Sequence, residues 1–445
     1  MRQFNILILH ALGDFSSQRK TLLNHALSYT KYAPHHNYFY HDYRQPVTDA
    51  MRKIRFHAVI LDTSFLALRY LRPIELFYEY QQKYSFIRDS DTVRIAFPQD
   101  EYDNCQLLDE WLIHYKVDIA FSVCWDHRDV LYPLTAKAGE IRECLTGYVD
   151  DRDVSDMKSK WEALQNRRID VSYRARNLPP EFGCYGRQKA IIGEKFKEAL
   201  ASHDLNIDIS TNPKDVFVGD DWLRFLLDSR FVLGSQGGSS LCDPRGEIRD
   251  RIRAFLRKNP DAAFEDIEAA CFPGLDGQYI FSAISPRLFE YAAAGCAQVL
   301  IRAPYLGTLT PGEHYICVEP DFSNLEDVIA QLFDLDAASR MAEAAYETLI
   351  ASNRYHYSRF IADVMQHIER KLEEKRTAAS TSSEFEELKT YHLTELGISE
   401  QAKKYQTLAR SIPMPLRRLL PSALKPLVRR LIAGRAGKAI TNGRQ

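Results

Sequence analysis

Two segments of the sequence place cationic side chains where helices are predicted to begin. In the first, Ser285 is a preferred N-cap residue and Pro286 suits the first helical position. A helix N-terminus is already positive, so Arg287 in the first turn calls for a bound anion such as a phosphate. Glu290 lies three residues on and could accept hydrogen bonds from ligand hydroxyl groups. The alternative is a local ion pair between Arg287 and Glu290.

The second segment is Gly183-Cys184-Tyr185-Gly186-Arg187-Gln188-Lys189, which follows a predicted strand over Ile169–Arg174. Its glycines allow a tight turn and a close approach of backbone to a ligand. Ligands of open α/β sheets bind beyond the carboxyl ends of the strands. The sequence therefore predicts that Arg187 and Lys189 bind an anion there, or else that they form a solvated basic helix start.

A third segment consists of small residues after the predicted strand Phe231–Gly234. Gly237, Gly238 and Ser239 would leave room for a nucleotide or a sugar, whereas an ordinary flexible turn is the alternative. The segment lacks the GKS/T sequence of a P-loop.

Polar residues that follow strands in the first part of the chain are candidate catalytic residues. Asp100 and Glu101 come directly after the predicted strand Val93–Phe97 and could orient an acceptor hydroxyl or act as a base. Capping of the following helix is the alternative. His10 ends the first predicted strand, and Trp125-Asp126-His127 is a weaker candidate of the same kind. The spacing supports neither a Ser-His-Asp set nor a metal-ligand cluster, so we expect no metal and no other cofactor.

The elements that must position these residues form two series in which short apolar runs alternate with helical patterns. This predicts an α/β protein with two Rossmann-like domains that face a cleft. The predicted divisions are residues 1–150, residues 151–354, a helix over 355–375 that returns to the first domain, and a flexible segment with a basic tail over 376–445. A further short strand is predicted near Leu145–Val149.

The bulk composition restricts the class of protein further. The 445 residues exceed one ordinary core, and the net charge of −2 does not indicate a nucleic-acid partner. Eight scattered cysteines without a CxxC pair favour a reduced, cytoplasmic protein. From Gln401 to Gln445 there are eleven Lys/Arg and no Asp/Glu. Residues 408–438 alternate apolar and basic clusters, which predicts binding to an anionic membrane surface; a disordered solubilising tail and a protein-docking element are the alternatives.

The sequence SPRLFEYAAAGCAQVL, followed by PGEHYICVEPDFSNLEDVIAQL, resembles the C-terminal half of GT-B glycosyltransferases, and in particular the bacterial CgeB-like group. The resemblance covers about residues 169–359. It implies that Glu290 holds the donor ribose hydroxyls and that Arg287, Arg187 and Lys189 neutralise the diphosphate. Many retaining relatives have a glutamate where this chain has Ser282, which puts the stereochemistry in question.

The resemblance implies transfer of a sugar from a nucleotide-sugar donor to a glycan or lipid-linked acceptor in bacterial envelope polysaccharide synthesis. Three alternatives stay open at this point. A polyol-phosphate transferase or a nucleotide-sugar epimerase could use the same donor site, and a non-catalytic binding module for envelope assembly could retain the fold.

Overall fold

The apolar runs of the sequence form the strands of two separate parallel sheets. The computed structural model describes residues 3–13, 15, 20–217 and 220–375. The predicted α/β class with two Rossmann-like domains is confirmed. The predicted basic tail, including residues 408–438, lies outside the described residues.

The sheet of the first domain has six strands in the order β2-β1-β3-β4-β5-β6. Its central strands are buried on both faces, as parallel strands covered by helices should be. The strands are β1 Asn5–His10, β2 Asn37–Asp42, β3 Ala58–Leu61, β4 Val93–Ala96, β5 Ile119–Ser122 and β6 Glu140–Glu143. The helices are α1 Lys20–Tyr32, α2 Asp49–Lys53, α3 Thr63–Leu66, α4 Glu75–Lys83, α5 Cys105–His114, α6 Arg128–Leu131, α7 Thr135–Ala138 and α8 Asp151–Val154.

The last strand of this sheet differs from the prediction. β6 lies at Glu140–Glu143, before the apolar run Leu145–Val149 that was predicted to be a strand. An edge strand needs little apolar surface, so its polar sequence gave no strand signal. Leu145 and Val149 instead pack in a core cluster with Leu288 and Phe289.

The second domain contains a five-stranded parallel sheet in the order β13-β12-β9-β7-β8 and a two-stranded antiparallel pair, β10 and β11. The strands are β7 Ile169–Arg174, β8 Ile207–Ser210, β9 Ser229–Gly234, β10 Gly237–Ser239, β11 Phe281–Ala283, β12 Ala297–Ile301 and β13 Ile316–Val318. The helices are α9 Gly183–Leu200, α10 Asp220–Leu227, α11 Glu247–Lys258, α12 Phe264–Cys271, α13 Arg287–Ala293, α14 Leu325–Gln331, α15 Leu335–Tyr346 and α16 Tyr357–Lys375.

Two elements that follow the first domain in sequence pack against it in space. α16 contacts α1 and β4, and its apolar residues Tyr357, Phe360 and Ile361 join the first core. Residues 240–280, which carry α11 and α12 and which we call the bridging segment, also contact the first domain. The Asn104 amide donates to the Asp243 carbonyl (2.7 Å), and the Asp243 amide donates to Tyr102 (2.9 Å).

Candidate active site

Helix α9 starts at Gly183, the first residue of the segment in which the sequence predicts a helix start. Gly183 has a φ of +65°, a left-handed value that glycine adopts without strain. The Tyr173 hydroxyl of β7 donates to the Lys189 carbonyl (2.8 Å) and fixes the helix against the sheet. Lys189 therefore lies in the second turn of α9, beside the carboxyl end of β7.

Lys189 and Arg187 lie in different surroundings, so the structure does not bring together the two residues predicted to bind one anion. Two residues along a helix are about 200° apart around its axis. The Arg187 guanidinium lies over the Phe264 ring (4.3 Å to its centroid) and forms an ion pair with Glu265 (3.3 Å). Arg187 thus fastens α9 to α12, whereas Lys189 faces Gly237 and Arg287.

Helix α13 starts at Arg287, one residue later than predicted. Pro286 takes the N-cap position, and the helix start has no side-chain cap hydrogen bond, so Ser285 is not the cap. The Arg287 guanidinium carbon lies 5.1 Å from the centroid of the Trp222 ring. The same ring donates from Nε1 to Glu290 Oε2 (2.8 Å). Trp222 of α10 therefore contacts both charged side chains of the predicted donor helix.

The cations of Lys189 and Arg287 lie close enough to repel each other. Burial lowers the pKa of Lys189, Arg287 lowers it further, and Asp100 opposes the shift. Among the described residues, Lys189 makes no ion pair and Arg287 makes none with a carboxylate. Burial raises the pKa of the neighbouring Tyr291 to about 12, and the Arg287 cation opposes that shift. Two adjacent, half-buried cations of this kind form a site that favours an anion.

The small residues after β9 form strand β10, which corrects the predicted loop. Gly237, Gly238 and Ser239 are buried and pair with β11. A Cβ on Gly238 would lie 1.9 Å from the Phe281 carbonyl oxygen, so close strand pairing explains this glycine. Ser239 Oγ accepts from the Leu241 amide (2.9 Å). Of the three, Gly237 remains beside the cations, since its Cβ would lie 3.4 Å from Lys189 Nζ.

Asp100 approaches the cations from the first domain. It is exposed after β4 and has a φ of +48°, a strained value for a residue other than glycine. The buried Arg69 holds this loop by donating to the carbonyls of Gln99 (2.7 Å) and Asp100 (3.0 Å). The Tyr102 hydroxyl donates to Asp100 Oδ1 (2.8 Å). These contacts fix the Asp100 carboxylate beyond the carboxyl end of β4, near enough to oppose the lowering of the Lys189 pKa.

Glu101 lies in the interior, and this placement favours a structural role over the predicted role as an acceptor base. It has 0% exposure and accepts hydrogen bonds from Ser122 and Tyr132 hydroxyls (each 2.6 Å) and from the Val123 amide (2.6 Å). Burial raises its pKa to about 7. A carboxyl group with these partners and no access to the cleft holds the ends of β4 and β5 together.

His10 is likewise buried, and its contacts are those of a residue of the core. It is 4% exposed, and its Nδ1 accepts from the Leu12 amide (3.3 Å). Its ring packs edge-on against Phe15 and Tyr40. This placement favours the structural alternative for His10 as well.

Asp126 is a second exposed carboxylate of the first domain that reaches the second domain. The hydroxyl of Ser282 on β11 donates to Asp126 Oδ2 (3.5 Å). Burial, together with the nearby Asp126, raises the pKa of Tyr185 to about 12. The Tyr185 hydroxyl donates to Gln236 (3.0 Å). Asp126 therefore faces Ser282 of the second domain.

The sequence did not single out Trp222, and it favoured Asp100 over Asp126. Trp222 reaches Glu290 across 68 residues of sequence, and no local pattern links the two. Asp126 follows a strand, as Asp100 does, and only the fold shows that it faces β11. Among the described residues there is no group of three His, Cys, Asp or Glu side chains that could hold a metal ion. The helices of the described ranges include none with the length and apolar character of a membrane span.

One comparison matches the part of the chain that contains helix α13. Residues 277–366 match the family model described as glycosyl transferase-like. The match confirms the resemblance and the enzyme class predicted from the sequence, a glycosyltransferase. No curated protein matches the sequence significantly.

Solved structures to which the chain is similar include HepE from Anabaena in complex with UDP, at 9% identity and a TM-score of 0.48, over 82% of this chain and 100% of that one. Sucrose-phosphate synthase from Thermosynechococcus elongatus shares 14% identity with a TM-score of 0.41, over 83% and 99% of the two chains. A glycosyltransferase from Rickettsia africae shares 10% identity with a TM-score of 0.41, over 84% and 99%.

Proposed function

We propose that this protein transfers a sugar from a nucleotide-sugar donor to an acceptor hydroxyl in the cleft between its two parallel sheets. One observation carries the proposal: Lys189 and Arg287 lie together, half-buried, where the ends of β7 and β9 meet the start of α13. The diphosphate of a nucleotide sugar supplies the negative charge that this pair lacks.

The departure of the diphosphate needs the positive charges that Lys189 and Arg287 provide. When the bond between the anomeric carbon and the diphosphate breaks, negative charge develops on the departing oxygen. Lys189 would bind that charge as a compact cation, and Arg287 would bind phosphate oxygens through its planar donor groups. Because both charges come from the protein, we propose that the transfer requires no metal ion and no other cofactor.

Glu290, positioned by Trp222, would hold the uncharged part of the donor. A carboxylate oxygen beside the phosphate-binding cations can accept hydrogen bonds from vicinal hydroxyl groups, which the resemblance places on the donor ribose. One Glu290 oxygen is engaged by Trp222 Nε1 (2.8 Å), which fixes the direction of the carboxylate. Arg287 and Glu290 of the short helix α13 would therefore bind the diphosphate and the hydroxyl groups of the donor.

Asp100 and Asp126 are the carboxylates that we propose for the acceptor side. Both are exposed and follow strands of the first domain, and each faces the donor residues from across the cleft. Either could orient an acceptor hydroxyl or accept its proton. The acceptor that we propose, from the family resemblance, is a glycan or a lipid-linked acceptor of bacterial envelope polysaccharide synthesis. We also propose that the transfer retains configuration, although Ser282 replaces the glutamate of many retaining relatives, and the anomer of the product tests this.

The decisive experiment compares two basic residues of α9. In the presence of EDTA, Lys189→Met should reduce kcat/KM for a nucleotide sugar by roughly 100-fold, because it removes a cation from the departing diphosphate. Arg187→Met is the matched control, since Arg187 is engaged by Phe264 and Glu265. It should change kcat/KM by less than about threefold. The donor is first chosen from a panel of nucleotide sugars by the shift in melting temperature that each causes.

Equal losses in the two variants would contradict the assignment of Lys189 to the diphosphate. Failure of every nucleotide sugar to shift the melting temperature would remove the proposed donor class. Loss of turnover in EDTA, restored by added Mg²⁺, would contradict the metal-independent transfer.

A further inference from the structure

Two cysteines meet where the bridging segment contacts the first domain. Cys105 begins α5 of the first domain, and Cys242 lies in residues 240–280 of the second. Their sulfur atoms are 3.5 Å apart across 137 residues of sequence. Among the described residues, which include all eight cysteines, no other two sulfurs lie within hydrogen-bonding distance of each other.

The backbone on both sides holds this pair in place. Asp103 and Asp243 form a bridge of β type, in which the Asn104 amide donates to Asp243 (2.7 Å) and the Asp243 amide donates to Tyr102 (2.9 Å). The Gln106 amide donates to the Pro244 carbonyl (3.0 Å). Each cysteine therefore lies inside a short stretch of backbone that is hydrogen-bonded across the domain boundary.

We propose that Cys105 and Cys242 form a redox-sensitive thiol pair, which a peroxide converts to a disulfide that covalently joins the two domains. A disulfide needs sulfurs that approach to about 2.0 Å and Cα atoms within about 7 Å. The paired backbone holds the two segments side by side, and the two sulfurs already lie 3.5 Å apart. Closing the remaining distance requires side-chain rotation and a small shift, with no rearrangement of the domains.

The two thiols have different roles in the reaction. Cys242 is half-exposed, whereas Cys105 is 3% exposed, so Cys242 is the sulfur that a peroxide can reach. The hydrogen bond from the Cys105 thiol lowers the pKa of Cys242, although burial and Asp243 oppose the shift. The thiolate is the form that reacts.

The chemistry balances with one equivalent of peroxide. The Cys242 sulfur attacks one peroxide oxygen, the O–O bond breaks, and a sulfenic acid and one water form. The Cys105 sulfur then attacks the Cys242 sulfur, the S–O bond breaks, and a second water leaves with the thiol proton. Two electrons pass from the two sulfurs to the peroxide, and dithiothreitol reverses the oxidation.

The test uses the full chain with Cys184→Ser, because Cys184 is an exposed thiol that could form disulfides between molecules. The protein is treated with one equivalent of hydrogen peroxide, free thiols are blocked with N-ethylmaleimide, and the protein is digested without reduction. Mass spectrometry should find the peptides of Cys105 and Cys242 joined. The melting temperature should rise by roughly 5 °C, because the bond closes a long loop, and dithiothreitol should reverse the rise.

Matched variants decide the result. Cys105→Ser and Cys242→Ser should each abolish the joined peptide and the rise in melting temperature. Cys271→Ser removes another buried cysteine and should leave both unchanged. Recovery of Cys105 and Cys242 as separate N-ethylmaleimide adducts, or as sulfinic acids, would overturn the proposal. A rise in melting temperature that persists in Cys105→Ser would also overturn it.

Discussion

At the scale of single residues, Trp222 links the two charges of the proposed donor site. Its ring lies under Arg287, and its Nε1 donates to Glu290. A side chain with an apolar ring and one polar atom can make both contacts at once. Trp222 would therefore act through Arg287 and Glu290 as a positioning residue, without touching the reacting atoms.

Trp222→Phe separates these two contacts. The phenyl ring can still lie under Arg287, but it has no donor for Glu290. We expect KM for the donor to rise by roughly 10-fold, about the value of one hydrogen bond to a charged group, with little change in kcat. Steady-state kinetics of the purified variant measure both constants. A fall in kcat with unchanged KM would contradict the positioning role.

The raised pKa of Glu101 predicts that the free energy of unfolding depends on pH. Its pKa rises from 4.5 unfolded to about 7 in the folded protein, so the folded state binds a proton more tightly. This contribution to stability is complete below pH 4.5 and is lost as the pH rises through about 7. Glu101→Gln should remove this part of the slope. Urea unfolding at several pH values between 4 and 8 measures it, and an unchanged slope would contradict the shift.

At the scale of elements, the predictions succeeded where a pattern is local. Apart from the polar edge strand β6, the strands of the two parallel sheets could be predicted because a parallel strand buried on both faces is a continuous apolar run. Strand β10 could not, because Gly-Gly-Ser has low strand propensity and pairs with β11 about 40 residues later. The contacts of Arg187 could not be predicted for the same kind of reason, since Phe264 and Glu265 belong to a helix distant in sequence.

The β10–β11 pair should depend strongly on Gly238. Its φ of +127° and the Phe281 carbonyl, 1.9 Å from an added Cβ, leave no room for a side chain. Gly238→Ala should lower the free energy of unfolding by about 3 kcal/mol or more, because the two strands must separate. Gly277→Ala is the control: its φ is +76° but nothing lies within 4 Å of the added Cβ. It should cost about 1 kcal/mol, and equal costs by chemical denaturation would contradict the explanation.

At the scale of the whole molecule, charged contacts join the domains through the bridging segment. Arg249 forms an ion pair with Asp103, and both side chains are largely buried, at 13% and 9% exposure. Arg72 of the first domain pairs with Asp250 (3.1 Å), and Arg245 pairs with Glu110 (2.9 Å). Buried pairs matter more to stability than exposed ones when one partner is removed.

Arg249→Met leaves Asp103 without its ion-pair partner. The free energy of unfolding should fall by about 3 kcal/mol, and protease cleavage between the domains should become faster. Arg251→Met removes an exposed arginine from the same helix and should have little effect on either measurement. If both variants unfold at the same urea concentration, the Arg249 pair does not hold the domains together.

The placement of residues 240–280 has a consequence for recombination between related enzymes. A chimaera made by one crossover between residues 150 and 169 would bring this segment onto a foreign first domain. The partners of Asp243 and Arg249 would then be mismatched, even though each parallel sheet stayed intact. A functional hybrid should therefore inherit residues 240–280 from the same parent as residues 69–110, which requires two additional crossovers within the second domain.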